Sequence, residues 1–180
     1  MVNLSELDSF IRKNHSGDYL LINPAELVFE EKVKMNCYYC GKYGRNWRCP
    51  PNLPDIDFEK MMLEYERGIF VWNQYDISEQ DDFQRIRSES SVILHKTLLK
   101  IEKWFWDNNM VTAISFGAGS CKLCKDGCGK DRCNNPYASR SPLEATGVNV
   151  IKSAKKYGID ISFPTKNSLI RLGLVLYQEV

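Results

Sequence analysis

The strongest constraint on this chain is where its cysteines fall. Four of the seven lie in Cys121–Cys133, spaced C-x2-C-x3-C-x4-C. The other three form Cys37-x2-Cys40-x8-Cys49, followed by Pro50-Pro51. Gly41, Gly44, Pro50, Pro51 and Pro54 break up the first stretch, and Gly117, Gly119, Gly127 and Gly129 the second, so neither continues as helix or strand. The remaining chain therefore has to fold around two irregular loops, about 37–54 and 117–140.

An odd number of thiols leaves at least one outside any set of disulfides. The segment Met1–Glu6 has no basic region followed by an apolar run, and no apolar stretch approaches the ~20 residues that span a bilayer. The expected compartment is the cytoplasm, where thiols stay reduced. Clustered reduced thiols point to metal ligands or redox groups, not staples. The net charge of +1 supplies no bulk attraction for nucleic acid, and neither nucleic acid nor membrane is an expected partner. With 180 residues, 43% of them apolar, the chain is long enough for one core, and one domain over 1–180 is expected.

Periodicity outlines the scaffold. Leu4, Leu7, Phe10 and Ile11 have helical spacing, ended by Ser16-Gly17. Tyr19–Ile22 reads as a strand, and so does the alternation of Leu27, Phe29, Val33 and Met35 leading into Cys37. Asp55 or Asp57 can cap a helix to about Arg67, before the buried strand Gly68–Trp72. A long helix runs from Ser78 or Glu79 to Asp107, with Ile86, Ser90, Leu94, Leu98, Ile101 and Phe105 on its stripe. Met110–Phe116 reads as a strand. Ser141-Pro142-Leu143-Glu144 has the cap, proline and acid of a helix start, for a helix ended by Gly158. Ile159–Phe163 and Ser168–Tyr177 complete the strands. This order predicts an α/β or α+β fold: a mixed sheet with two crossover units and both cysteine loops at strand ends.

Thiolates bind zinc, copper(I) and the iron of sulfide clusters. The second loop supplies four ligands in succession, like a stretched ferredoxin run, and Cys49-Pro50 repeats a pairing found in iron–sulfur loops. Two closed four-thiolate sites need one more cysteine than the chain has. One site is then completed by another ligand, or left open, or the loops share one centre. Zinc is the alternative, because Cys37-Tyr38-Tyr39-Cys40-Gly41 looks like a zinc knuckle, yet no second C-x2-C follows in that loop. His15 and His95 are read as structural, the loop lysines as solvated, and Tyr38, Tyr39, Tyr43 and Trp47 as a shield for the first centre.

Cys37-Tyr38-Tyr39-Cys40, Arg48-Cys49-Pro50-Pro51, Gly119-Ser120-Cys121-x-Leu123-Cys124, Cys133 and the run Ala138–Val150 together resemble an uncharacterised family of predicted metal-binding proteins of unknown function. The resemblance covers most of the chain. It implies that all seven cysteines belong to the family pattern, and it implies no activity.

The expected metal ligands are thus Cys37, Cys40, Cys49, Cys121, Cys124, Cys128 and Cys133. The expected cofactors are one or two iron–sulfur clusters of 4Fe-4S type, with zinc as the alternative. The expected function is electron transfer, or service as redox accessory to a larger partner enzyme. An open three-cysteine cluster acting on a small substrate and a zinc-stabilised interaction module are the two alternatives.

Overall fold

The computed structural model describes residues 2–77 and 83–179. Helix α1 (Leu4–Asn14) is capped by the Asn3 side chain and leads to strand β1 (Asp18–Ile22). After a 3₁₀ turn at Pro24–Glu26 come α2 (Glu31–Tyr38), α3 (Phe58–Leu63), capped by Asp57, and β2 (Arg67–Asp76). Then follow α4 (Phe83–Asp107), β3 (Ile114–Phe116), α5 (Val150–Lys156) and β4 (Ser168–Tyr177). The expected start of the long helix, Ser78 to Asp82, lies outside the described residues.

The strands form one sheet in the order β1-β2-β4-β3, and every neighbouring pair is antiparallel. Phe70 lies opposite Leu174, and Leu174 opposite Phe116. Alternate residues of β2 and β4 point to opposite faces, and both faces are covered. On one face α1 and α4 bury Leu7, Ile11, Leu94, Leu98, Ile101 and Phe105 against Ile69, Val71, Val175 and Tyr177. On the other, Met62, Leu143, Val148 and Ala154 close over Phe70, Phe116, Leu172 and Leu174.

The α+β form of the expectation is the one realised. Of the two expected crossovers, one exists: β2 and β3 run parallel, joined by α4, with β4 between them. The other is absent because β3 and β4 are antiparallel. The strand expected at Leu27–Met35 is mostly helix α2. Its strand character is confined to residues 28–30, where Asn149 N donates to Val28 O and Glu30 N to Gly147 O. The first cysteine loop therefore follows a helix end, not a strand end. The single helix expected from Ser141 to Gly158 is two pieces, a 3₁₀ turn at Leu143–Thr146 and α5. Gly147, at φ +95°, turns the chain between them, and the Asn149 side chain caps α5. The capping box is not used, because residues 141–143 pair with Gly117 and extend the sheet edge. Residues Ile159–Phe163 form no strand.

Candidate metal centre

Cys37 is the penultimate residue of α2, Cys40 lies just past the helix end, and Cys49 is buried at 7% exposure. Gly44 N donates to Pro50 O at 3.0 Å, closing the first loop on itself. Three consecutive side chains then fasten this loop to the second. Asn46 Nδ2 donates to Cys121 O at 3.0 Å, and Trp47 Nε1 to Gly129 O at 2.8 Å. Arg48 Nε donates to Ser139 Oγ at 2.6 Å, and its Nη2 to Pro136 O at 3.0 Å. Cys49 comes next in the chain, so this seam sets where its thiol lies. Trp47 was expected to shield the first centre; it pins the second loop instead. Tyr39 is 78% exposed and packs edge-on to Tyr38, so it shields nothing from water.

The second loop leaves β3 through Gly117-Ala118-Gly119 and returns to the core at Ser139 and Arg140. Three side chains of α4 hold its two ends. Ser91 Oγ donates to Ala118 O at 3.2 Å, and His95 Nε2 bonds Ala138 O at 2.8 Å. Glu102 accepts from Arg140 and from Ser115 N and Oγ, both at 2.6 Å. Within the loop, Asn135 Nδ2 donates to Cys124 Sγ at 3.1 Å, and Cys133 Sγ lies 3.3 Å from Ser139 Oγ.

The thiols fall into two sets that line two cavities. Cys37, Cys40 and Cys49 line one of about 440 Å³, together with Glu144, Lys122, Arg87 and Arg171. Cys121, Cys124, Cys128 and Cys133 line one of about 500 Å³. The two adjoin, sharing Lys42, Ser88, Ser120 and Lys122 in their walls. All seven cysteines are free. The loops thus lie side by side, each contributing its own cysteines to its own cavity.

Electrostatics separates the two sets. Burial pushes the Cys49 thiol up to about 12, and the charges of Glu144, Cys37, Cys40 and Cys121 act in the same direction. Burial, Glu144 and Cys40 push Cys37 up to about 11. Cys121 is also raised, by burial and by its three loop partners. For Cys133 burial acts upward too, but the Ser139 hydroxyl, the Asn135 backbone N–H and Arg48 outweigh it, so this thiol is lowered. Glu144 accepts from Gly119 N at 3.0 Å, and burial raises its carboxyl above the ordinary range. Burial and the facing charges of Arg171, Arg87 and Lys42 lower Lys122.

The donor chemistry fits a thiophilic metal: thiolates that crowd and repel one another in partly buried cavities are stabilised by a bound cation. As they stand, no three His, Cys, Asp or Glu side chains among the described residues are close enough together to grip one ion. Neither histidine lines a thiol cavity, in keeping with their structural reading; His15 Nε2 bonds Trp72 O at 3.0 Å. Lys125, Lys130 and Arg132 are exposed, as solvated loop residues are. Lys122 is the exception.

Sequence reasoning missed Glu144, Arg171, Arg87 and Lys122 as parts of one site. In the sequence Glu144 reads as the acid of a helix start. Arg171 offered a signal, as a lone charge between Ile170 and Leu172 in an otherwise apolar strand.

The chain belongs to the family described as "Predicted metal-binding protein (DUF2284)", whose model matches residues 20–177. No curated protein and no solved structure matches it. Among the described residues no helix is long and apolar enough to cross a membrane.

Proposed function

We propose that this metal-binding protein carries iron–sulfur clusters of 4Fe-4S type. Cys121, Cys124, Cys128 and Cys133 hold one, and Cys37, Cys40 and Cys49 hold another. The observation that carries this reading is the partition of the seven thiols into sets of four and three lining adjoining cavities. Such clusters, when bound, pass single electrons. The chain's own part is to exclude water at Cys49, to orient Cys133 through Ser139 and Arg48, and to set positive charge around the thiols. Electron transfer to a partner, or service as redox accessory to a larger enzyme, is the function that follows. Thiols kept free at this density suit a reducing, cytoplasmic and anaerobic setting.

A second reading is favoured by one feature. The three-thiol set faces a cavity of about 440 Å³, within the range of small-molecule sites. A centre with one ligand position free of cysteine would there meet a small substrate directly.

Anaerobic purification followed by iron, sulfide and zinc analysis tests the assignment. A colourless protein with stoichiometric zinc and no sulfide would replace it by the zinc-stabilised module. Cys49→Ser is expected to remove one centre's iron and spare the other's. Loss of both would mean that the two loops share a single centre.

A further inference from the structure

The cavity over Cys37, Cys40 and Cys49 has an unusual wall. Four cations line it, Lys42, Arg87, Lys122 and Arg171, against one carboxyl, Glu144. Lys122 and Arg171 are partly buried. They converge: a methyl group placed on Gly119 would lie 3.8 Å from Arg171 Nη1 and 3.9 Å from Lys122 Nζ. Among the described residues none of the four is in an ion pair.

The orientation of Arg171 is fixed. Its Nε donates to Ser90 Oγ at 3.2 Å and its Nη2 to Arg87 O at 2.9 Å, which turns Nη1 toward Gly119. Holding like charges together in a partly buried space is costly, and the cost persists only where something offsets it. A cluster core of about two positive charges on three thiolates leaves about one negative charge at the cavity wall, and Glu144 adds at most one more. Four cations then exceed the acids by about two charges.

We propose that this cavity binds a small doubly negative oxyanion, a phosphate or a dicarboxylate, held by Arg171 and Lys122 with Arg87 and Lys42 at its rim. The inference rests on the proposed function for one point only, that a metal centre on Cys37, Cys40 and Cys49 forms the neighbouring wall. Arg171 supplies a planar fork to the oxyanion and Lys122 a point charge. The ligand would lie on the three-thiol side, because Arg171 and Arg87 line that cavity and not the four-thiol one, whereas Lys122 and Lys42 line both.

The test is calorimetric titration of the protein as isolated anaerobically, with orthophosphate in one arm and succinate in the other. Metal and sulfide per chain are measured on every sample. At least one dianion is expected to bind at a single site, and Lys122→Gln to weaken it roughly tenfold or more. Arg171→Lys, which keeps the charge and loses the fork, weakens it too. Lys125→Gln, exposed and lining only the other cavity, leaves it within about twofold. The arm that binds tells phosphate from carboxylate. A metal-loaded protein that binds neither dianion more tightly than about 10 mM overturns the inference and leaves the iron–sulfur reading intact. So does a Lys125→Gln loss equal to that of Lys122→Gln, which would mean general surface charge. A metal-free protein that binds a dianion through Lys122 sustains the anion site and removes both its metal wall and the iron–sulfur reading.

Discussion

Replacing Glu102 by glutamine should cost this protein a large part of its stability. The Glu102 carboxylate accepts from Ser115 N and Oγ at 2.6 Å each, from Arg140 Nε at 2.9 and 3.1 Å, and from Arg140 Nη2. Its side chain is 2% exposed, and that of Arg140 is 14%. Glutamine keeps the volume, so no cavity term enters. It removes the charge and turns an amide N–H₂ toward groups that are themselves donors. Arg140 is left as a nearly buried cation with no counter-ion, which costs about 3–5 kcal/mol. Against a typical total of about 5–15 kcal/mol, that is a substantial fraction. Urea denaturation of wild type, Glu102→Gln, Arg140→Gln and the double variant measures it. The two single losses should overlap, with a coupling of about 0.5–3 kcal/mol. A Glu102→Gln loss below about 1 kcal/mol at unchanged slope, or losses that simply add, would refute the claim that this pair holds the second loop to the core.

Other outcomes are as specific. Gly173→Ala puts a methyl 2.5 Å from Leu98 Cδ1 and 2.8 Å from Phe116 O, so the Leu98 side chain and the β3 backbone must give way; a loss of about 1–3 kcal/mol is expected in the same denaturation assay. Glu30 is held at about 2 by hydrogen bonds from Lys152 and Asn149, so its contribution is present above the ordinary carboxyl range and lost as pH falls toward 2. The stability gap between wild type and Glu30→Gln should therefore shrink between about pH 5 and pH 2, and a constant gap would contradict it. Cys37 and Cys49, at about 11 and about 12, hold their protons at neutral pH, and metal must displace them. Metal affinity should then rise with pH by up to about tenfold per unit for each proton released, read by calorimetry in buffers of different ionisation enthalpy. Trp47→Phe keeps an aromatic ring, though a smaller one, and loses the bond to Gly129 O, for at least about 0.5–1.5 kcal/mol in urea denaturation.

What the sequence reveals and what it hides divide along one line, between features of a single element and features made by two. The buried run at Gly68–Trp72, the helix through Leu94, Leu98 and Ile101, and the final strand to Tyr177 each bury enough apolar surface to announce themselves. The residues 31–38 do not. No side chain of α2 is buried, so the alternation of Leu27, Phe29, Val33 and Met35 says nothing about its backbone. The Ser141-Pro142-Leu143-Glu144 signal misleads for a related reason: its acid bonds Gly119 N, across the fold, instead of capping its own helix. In the same way the cysteines were legible as two sets from spacing, whereas the cations between the sets come from four separate places in the chain.

In the sequence the long helix reads as an apolar stripe that includes Ser90. Its buried polar residues have a further meaning. Ser91, His95 and Glu102 follow one another at steps of four and seven, the spacing of one helical face. They bond Ala118, Ala138 and Arg140, the two ends of the second loop. Ser90, one position over, bonds Arg171. A buried polar group is tolerated only with a partner, and Ser91, His95 and Glu102 find theirs at the ends of the loop, where its backbone enters the interior. The loop of 117–140 carries little apolar surface of its own to bury, and the helix's polar row supplies the bonds that a hydrophobic contact would otherwise give. It follows that the two ends of the second loop are fixed by α4, from residues well before the first of its cysteines in the chain, and that substitutions at His95 or Glu102 should disturb the four-thiol set more than the three-thiol set.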